Sequence, residues 1–154
     1  MRAKILQFIF VLALFASCGP KTSKSIADIS KETNVYVSKI DANSNLKEEM
    51  IEGALADIEG FKDIGKFKYT VYFDEQTNEL FKIKNVEITD KTISETYYFN
   101  SGDLVRIDTN LEGVSNKIYV QNNKVISENK TNAAAQKLLL EKAKRFQKAF
   151  KNDH

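Results

Sequence analysis

The spacing of apolar residues along the chain changes repeatedly, and each change marks a different kind of segment. Ile5 to Phe15 is apolar throughout except for Gln7. Gly19 to Thr33 is small, polar and only weakly apolar, at Ile26 and Ile29. Residues 34–40 alternate, with Val35, Val37 and Lys39 on one side and Tyr36, Ser38 and Ile40 on the other, which predicts a short strand before the turn-rich run Asp41 to Asn45. Leu46, Met50, Ile51, Ala54, Leu55, Ile58 and Phe61 then recur at three- and four-residue spacing, which predicts an amphipathic helix over residues 46–61. Asn45 with Glu48 three residues on matches a capping box, and Gly60 a helix stop.

From Phe67 the period falls from 3.6 to 2, the signature of half-buried strands. Three similar hairpins are predicted. Tyr69 to Phe73 is followed by Leu80 to Ile83, Glu95 to Phe99 by Leu104 to Ile107, and Asn116 to Val120 by Val125 and Ile126. Polar turns separate the members of each pair. Ser101-Gly102 and Asn122-Asn123 supply residues that tolerate positive φ in tight hairpins. Asn85 interrupts the alternation between Ile83 and Val86 and predicts a bulge. The result is an antiparallel β-meander of about six strands, seven with residues 34–40.

Asn132 or Thr131 caps a last predicted helix, about 133–150. Ala135, Leu138, Leu139, Ala143, Phe146, Ala149 and Phe150 form its apolar arc, and Lys137, Lys144, Lys148 and Lys151 its opposite face. A sheet with one apolar face and two helices with one apolar stripe each predict an α+β domain in which both helices pack on one face of the sheet. The lysine face is a solvated surface, with attraction to anionic head groups, about 1 kcal/mol per Lys, as the alternative.

The first apolar run spans roughly 11 residues, whereas a bilayer span takes about 20, so with Arg2 and Lys4 before it this segment reads as a signal peptide. Leu14-Phe15-Ala16-Ser17-Cys18 resembles the lipobox of bacterial lipoproteins, with Phe15 where an aliphatic residue is commoner. The resemblance implies cleavage before Cys18, lipidation of its thiol, and a membrane anchor through that lipid. Residues 1–17 are then the signal peptide, 18–33 a lipidated flexible tether, and 34–154 a single α+β domain. Tyr97, Tyr98, Phe99, Gly102 and Leu104 are similar to the Tyr-Tyr-Phe-x-x-Gly-x-Leu strand pairs of small Bacteroidota lipoproteins of unknown function. More distantly, the hairpins resemble those of antitoxin-like and MORN-like β-meanders. No acidic cluster follows Cys18 and no Asp lies directly after it, which by resemblance implies the periplasmic leaflet of the outer membrane.

Composition narrows the chemistry. There are 23 basic and 21 acidic residues. Loss of residues 1–17 removes Arg2 and Lys4 and no acid, leaving a neutral chain with no basic excess for nucleic acid. The single Cys excludes a disulfide framework, and the single His, His154, is the last residue, on a terminus expected to fray beyond the last helix and to bury almost nothing. No nucleophile–base set, phosphate loop or metal-ligand spacing is present, so no catalytic residue, metal or cofactor is expected. The carboxylate pairs Glu48/Glu49 and Asp74/Glu75 read as solvated residues. Asp41, Asn43 and Asn45 alternate like the start of a calcium loop, but Leu46 stands where such a loop needs Gly.

Tyr72, Tyr98 and Tyr119 occupy corresponding places in the three hairpins, each one residue before Phe73, Phe99 or Val120. Alternation gathers them on one exposed face. Such a face suits a partner, because Tyr joins apolar area to a polar tip. The expected protein is a non-enzymatic, lipid-anchored envelope module that binds an envelope protein or ligand there. The alternative is a small carrier or sensor of an apolar ligand, with a pocket between sheet and helices lined by Phe67, Tyr69, Phe73 and Phe99.

Overall fold

A computed structural model of the protein describes residues 24–57, 59–60, 62–127 and 131–154, so the signal segment and Cys18 lie outside the described residues. Helix α1 spans Ile26–Asp41. Seven strands follow: β1 Lys47–Ala56, β2 Asp63–Asp74, β3 Glu79–Ile88, β4 Thr92–Asn100, β5 Asp103–Leu111, β6 Val114–Gln121 and β7 Lys124–Val125. Helix α2 spans Ala133–Asp153. The strands lie in sequence order in one sheet, each antiparallel to the next. The protein is therefore an α+β meander, with β1 and β7 at its open edges. Among the described residues no helix is long and apolar enough to cross a membrane.

The first third departs from the sequence reading. Residues 26–33, expected in a tether, and 34–40, expected as a strand, are one helix. Ser25 caps it, its hydroxyl accepting from the Asp28 amide at 3.1 Å. Ile29, Thr33, Tyr36, Val37 and Ile40 fall at helical spacing, and Val37 and Ile40 are buried. Residues 47–56, expected as a helix, are the strand β1, paired in register from Lys47 opposite Phe73 to Leu55 opposite Gly65. This strand has only β2 beside it, and its residues range from half-buried to exposed, so no strict alternation is imposed on its sequence. Backbone pairing with β2 overrides its helical spacing.

From β2 onward sequence and structure agree closely. The tight turns Ser101-Gly102, Glu112-Gly113 and Asn122-Asn123 have positive φ at both residues, as two-residue hairpins of this kind require. In the longer β2–β3 turn, Asp74 accepts from the Gln76 and Thr77 amides at 3.0 and 2.8 Å, and these bonds hold its pKa below the ordinary carboxylate value. At Gly65 a side chain would overlap the Ile88 carbonyl, so only glycine lets β2 and β3 meet there.

Pairing runs evenly through Asn85, which corrects the bulge expected there. Register shifts fall instead at Phe81, between Tyr72–Lys82 and Phe73–Leu80, and at Val105, between Tyr98–Arg106 and Phe99–Leu104. Each extra residue turns the chain, so Leu80, Ile83, Leu104 and Ile107 all join the α2 core while Phe81 and Val105 reach the other face.

This gives the sheet two apolar faces and corrects the expectation that both helices share one. Helix α2 lies on the face carrying Val71, Phe73, Ile83, Tyr97, Phe99, Ile107, Ile118 and Val120, through Leu139, Ala143 and Phe150. Helix α1 lies on the opposite face, where Val37 and Ile40 pack on Tyr98 with Tyr36, Leu46, Phe81 and Val105 around them. Asn132 caps α2, accepting from the Ala135 amide at 2.9 Å.

Candidate functional site

Tyr72, Tyr98 and Tyr119 do come together, but not as a free surface. Strand register sets one row across the sheet: Glu48, Tyr72, Lys82, Tyr98, Arg106 and Tyr119, each opposite the next. Aromatic rings and cations alternate in it. The Lys82 ammonium lies 4.2 Å from the Tyr72 ring centre and the Arg106 guanidinium 4.8 Å from that of Tyr98.

Helix α1 crosses this row and binds it with two polar side chains. The Asp41 carboxylate takes Lys82 at 3.0 Å and accepts from the Tyr98 hydroxyl at 3.2 Å. The Asn34 amide oxygen accepts from Arg106 at 2.9 Å and from the Tyr119 hydroxyl at 2.8 Å. Tyr36 donates to the Phe99 carbonyl at 2.7 Å. Tyr98 is buried, and Tyr72 and Tyr119 are half-buried. The exposed tyrosine face is thus corrected: the segment expected to be a tether folds over it. Burial first, then the charges of Asp41 and Asp108, push the Tyr98 hydroxyl well above its ordinary value, so it stays a neutral donor. Arg106 also pairs with Asp108 at 2.6 Å, while among the described residues the buried Arg106 Nε and Asp108 Oδ1 have no hydrogen-bond partner.

The α2 face holds a polar cluster inside its apolar core. Lys142 reaches down to Glu95 at 2.8 Å and Glu87 at 3.1 Å. Asn85 donates to Glu87 at 2.9 Å, and the Tyr97 hydroxyl to Glu95 at 2.8 Å. Burial opposes the charges of Lys142 and Glu87. The hydrogen bonds and opposite charges outweigh it, leaving the Lys142 pKa raised and the Glu87 pKa lowered. Every charge here has a partner, so the cluster fastens α2 to β3 and β4. It was missed in the sequence, although Lys142 falls between Leu139 and Phe146 on the apolar arc and Asn85 and Glu95 fall at core-facing positions. Lys137, Lys144, Lys148 and Lys151 are exposed, while Leu138, placed on the arc, is 53% exposed.

A cleft of about 440 Å³ opens where the last turn of α2 meets β1 and β2. Ile51, Val71, Ala149 and Phe150 supply apolar walls, and Glu49, Asp153 and His154 polar ones. Tyr69 enters it with its ring 5.1 Å from that of Phe146. Its hydroxyl is buried and has no hydrogen-bond partner among the described residues. Burial first, then the charge of Asp153, push its pKa up to about 12.

His154, expected to be frayed and idle, closes one side of this cleft. Its ring stacks on Phe150 with centres 4.3 Å apart and meets Phe73 edge-on at 4.6 Å. Its Nε2 lies 3.1 Å from Glu49 and its Nδ1 3.1 Å from the Phe150 carbonyl, and the side chain is only 18% exposed. The extra turn of α2, which runs to Asp153 rather than about 150, brings it there.

Of the four residues expected to line a pocket, Tyr69 alone lines this one. Phe73 and Phe99 are core residues. Phe67 borders a second open cleft of about 620 Å³ with Gly53, Gly65 and Ile88, and its ring lies over Gly53, where a Cβ would come within 2.6 Å of it. Among the described residues no group of three or more His, Cys, Asp or Glu side chains is arranged to hold a metal ion. Comparison with protein-family models, curated proteins and solved structures finds no match to this chain.

Proposed function

We propose that the protein is a non-catalytic, lipid-anchored module of the bacterial cell envelope that holds a small, largely apolar ligand. The anchor rests on the lipobox-like Leu14 to Cys18, and the outer membrane facing the periplasm is its proposed site. The ligand reading is carried by one observation, the apolar cleft with Tyr69 in its wall, whose buried hydroxyl has no hydrogen-bond partner among the described residues. Its volume falls in the range of small-molecule sites, roughly 300–1,000 Å³. A buried hydroxyl without a partner is costly, and a ligand atom can supply the missing bond.

Two measurements test this reading. Labelled palmitate should enter the wild-type chain and not Cys18→Ala, and an unlabelled wild type overturns the anchor. A native mass spectrum of the lipidated chain extracted from membranes should carry an adduct of small-molecule mass. Ala149→Trp, which fills the cleft from the α2 side, should lose it. Bare protein in both spectra overturns the ligand reading.

A second reading, a partner-binding row of Tyr72, Tyr98 and Tyr119, is favoured by the way α1 is seated. Its buried apolar residues on that face are Val37 and Ile40 alone. A partner offering a carboxylate and an amide where Asp41 and Asn34 now stand would displace the helix and take the row.

A further inference from the structure

The charges around the α2 cleft identify the kind of ligand head group it suits. Glu49 is already engaged, by His154 at 3.1 Å and by Lys47 at 3.5 Å, and Lys47 is also held by Glu75 at 2.7 Å. Glu49 and Glu75 thus share the Lys47 ammonium. Asp153 has no hydrogen-bond or ion-pair partner among the described residues, yet its charge acts on the Tyr69 hydroxyl across the cleft. The cleft also sits at the C-terminal end of α2, where the helix dipole adds negative potential. An unspent carboxylate, a buried hydroxyl able to accept, and the negative end of a helix converge on one apolar space.

We propose that this cleft takes an apolar amine, with its hydrocarbon part against Ile51, Val71, Ala149 and Phe150 and its ammonium between the Tyr69 hydroxyl and the Asp153 carboxylate. The proposal rests on the reading of the cleft as a ligand site and adds the sign of the ligand's charge. An anionic amphiphile of the same size would set its head group against Asp153. A neutral alcohol would satisfy Tyr69 and leave Asp153 unmatched.

Three water-soluble probes of similar size separate the two claims: 2-phenylethylamine, 2-phenylethanol and 3-phenylpropanoate. Each is titrated calorimetrically into the full lipidated chain in nanodiscs, with empty nanodiscs as the blank. The amine should bind at least tenfold more tightly than the other two. Asp153→Asn, a change at an exposed position, should bring it down to the level of the alcohol, and Tyr69→Phe should weaken it severalfold. Equal or tighter binding of the alcohol or the carboxylate overturns the amine assignment and leaves the apolar site standing. An amine affinity unchanged in Asp153→Asn overturns the assignment as well. No heat above the blank from any of the three overturns both the assignment and the ligand reading beneath it.

Discussion

The two faces of the sheet hold their helices by different physics. On the α2 face, Leu139, Ala143 and Phe150 sit in a continuous cluster reaching from Val71 to Val120. The cation that α2 brings into that interface, Lys142, is paired with Glu87 and Glu95 of the sheet. On the α1 face, the fully buried apolar residues are Val37, Ile40 and Tyr98, with the half-buried Tyr36, Leu46, Phe81 and Val105 around them, and the helix is located by Asn34, Tyr36 and Asp41 reaching to polar atoms of the sheet. Apolar burial contributes roughly 1.5–3 kcal/mol per large side chain, whereas a typical hydrogen bond contributes a net 0.5–1.5 kcal/mol, because water offers the same bonds when the helix leaves. Helix α2 is therefore part of the folding unit, and α1 is a docked element that opens at lower free energy.

Breaking the α2 face at its charged point should have the largest effect. Lys142→Met strands Glu95, whose side chain is 8% exposed, in the core without its cation. Removing one partner of a buried pair costs about 3–5 kcal/mol, and urea unfolding should show a loss of that size. A loss under 1 kcal/mol would mean that water replaces Lys142. The pH dependence carries the same signature. Lys142 has its pKa raised from 10.5, so its contribution is complete below that value and is lost as pH climbs through the raised one. Glu87 has its pKa lowered from 4.5, so its contribution is complete above that value and is lost as pH falls through the lowered one. Wild-type stability from this cluster should be flat between those limits and decline outside them. Lys142→Met should shrink the alkaline decline to the part that comes from the Tyr97 hydroxyl, which burial first and then the Glu95 charge push above its ordinary value of 10.0.

The next contrast uses one substitution on each face. Ile107, with no exposed surface, lies in the α2 cluster, and Ile40, 5% exposed, is the α1 residue packed on the opposite face. Ile107→Ala should lower global stability by about 2–5 kcal/mol. Ile40→Ala removes as many atoms, but the loss should appear as faster amide exchange across residues 26–41 while strand amides keep their protection. If Ile40→Ala instead lowers the protection of β3 to β5 as far as Ile107→Ala does, α1 unfolds with the sheet and the distinction between the faces falls.

The same difference explains which parts of the fold were legible in the sequence. Residues buried against α2 keep a two-residue period along most of each strand, because the strands must present apolar side chains to one large core, and the antiparallel meander and the last helix were legible for that reason, whereas the register shifts at Phe81 and Val105 were not. Helix α1 buries only Val37 and Ile40, so a weak apolar stripe suffices and the segment resembled a linker; Ser25 with Asp28, followed by Ile29, Tyr36, Val37 and Ile40, was the available signal. Strand β1 is an edge strand with Met50 and Ile51 about half exposed, so its sequence is free to carry an accidental helical spacing. The tyrosine row was legible from hairpin equivalence, since strand register is local. Its cover was not, because nothing within Tyr72, Tyr98 or Tyr119 encodes the arrival of Asn34 and Asp41. The cleft joins β1, β2 and the end of α2, which are far apart in sequence, and no local pattern announces such a meeting.

The smallest expected effect comes from the two helix caps, which are chemically alike. The Ser25 hydroxyl and the Asn132 amide oxygen each accept from the amide three residues on, at 3.1 and 2.9 Å. Replacing either by Ala removes one bond from a first turn, worth about 1 kcal/mol of helix stability. The cost should reach global stability at only one of them. Helix α2 unfolds together with the core, so Asn132→Ala should lower the unfolding free energy by nearly that amount. The first turns of α1, Ile26 to Thr33, contain no buried residue, so they can fray at little cost to the contacts made by Asn34, Val37, Ile40 and Asp41. Ser25→Ala should therefore leave the urea midpoint almost unchanged and speed amide exchange in the first two turns of α1 alone. Equal losses from the two substitutions would mean that α1 is bound as cooperatively as α2, despite the thinness of its apolar contact.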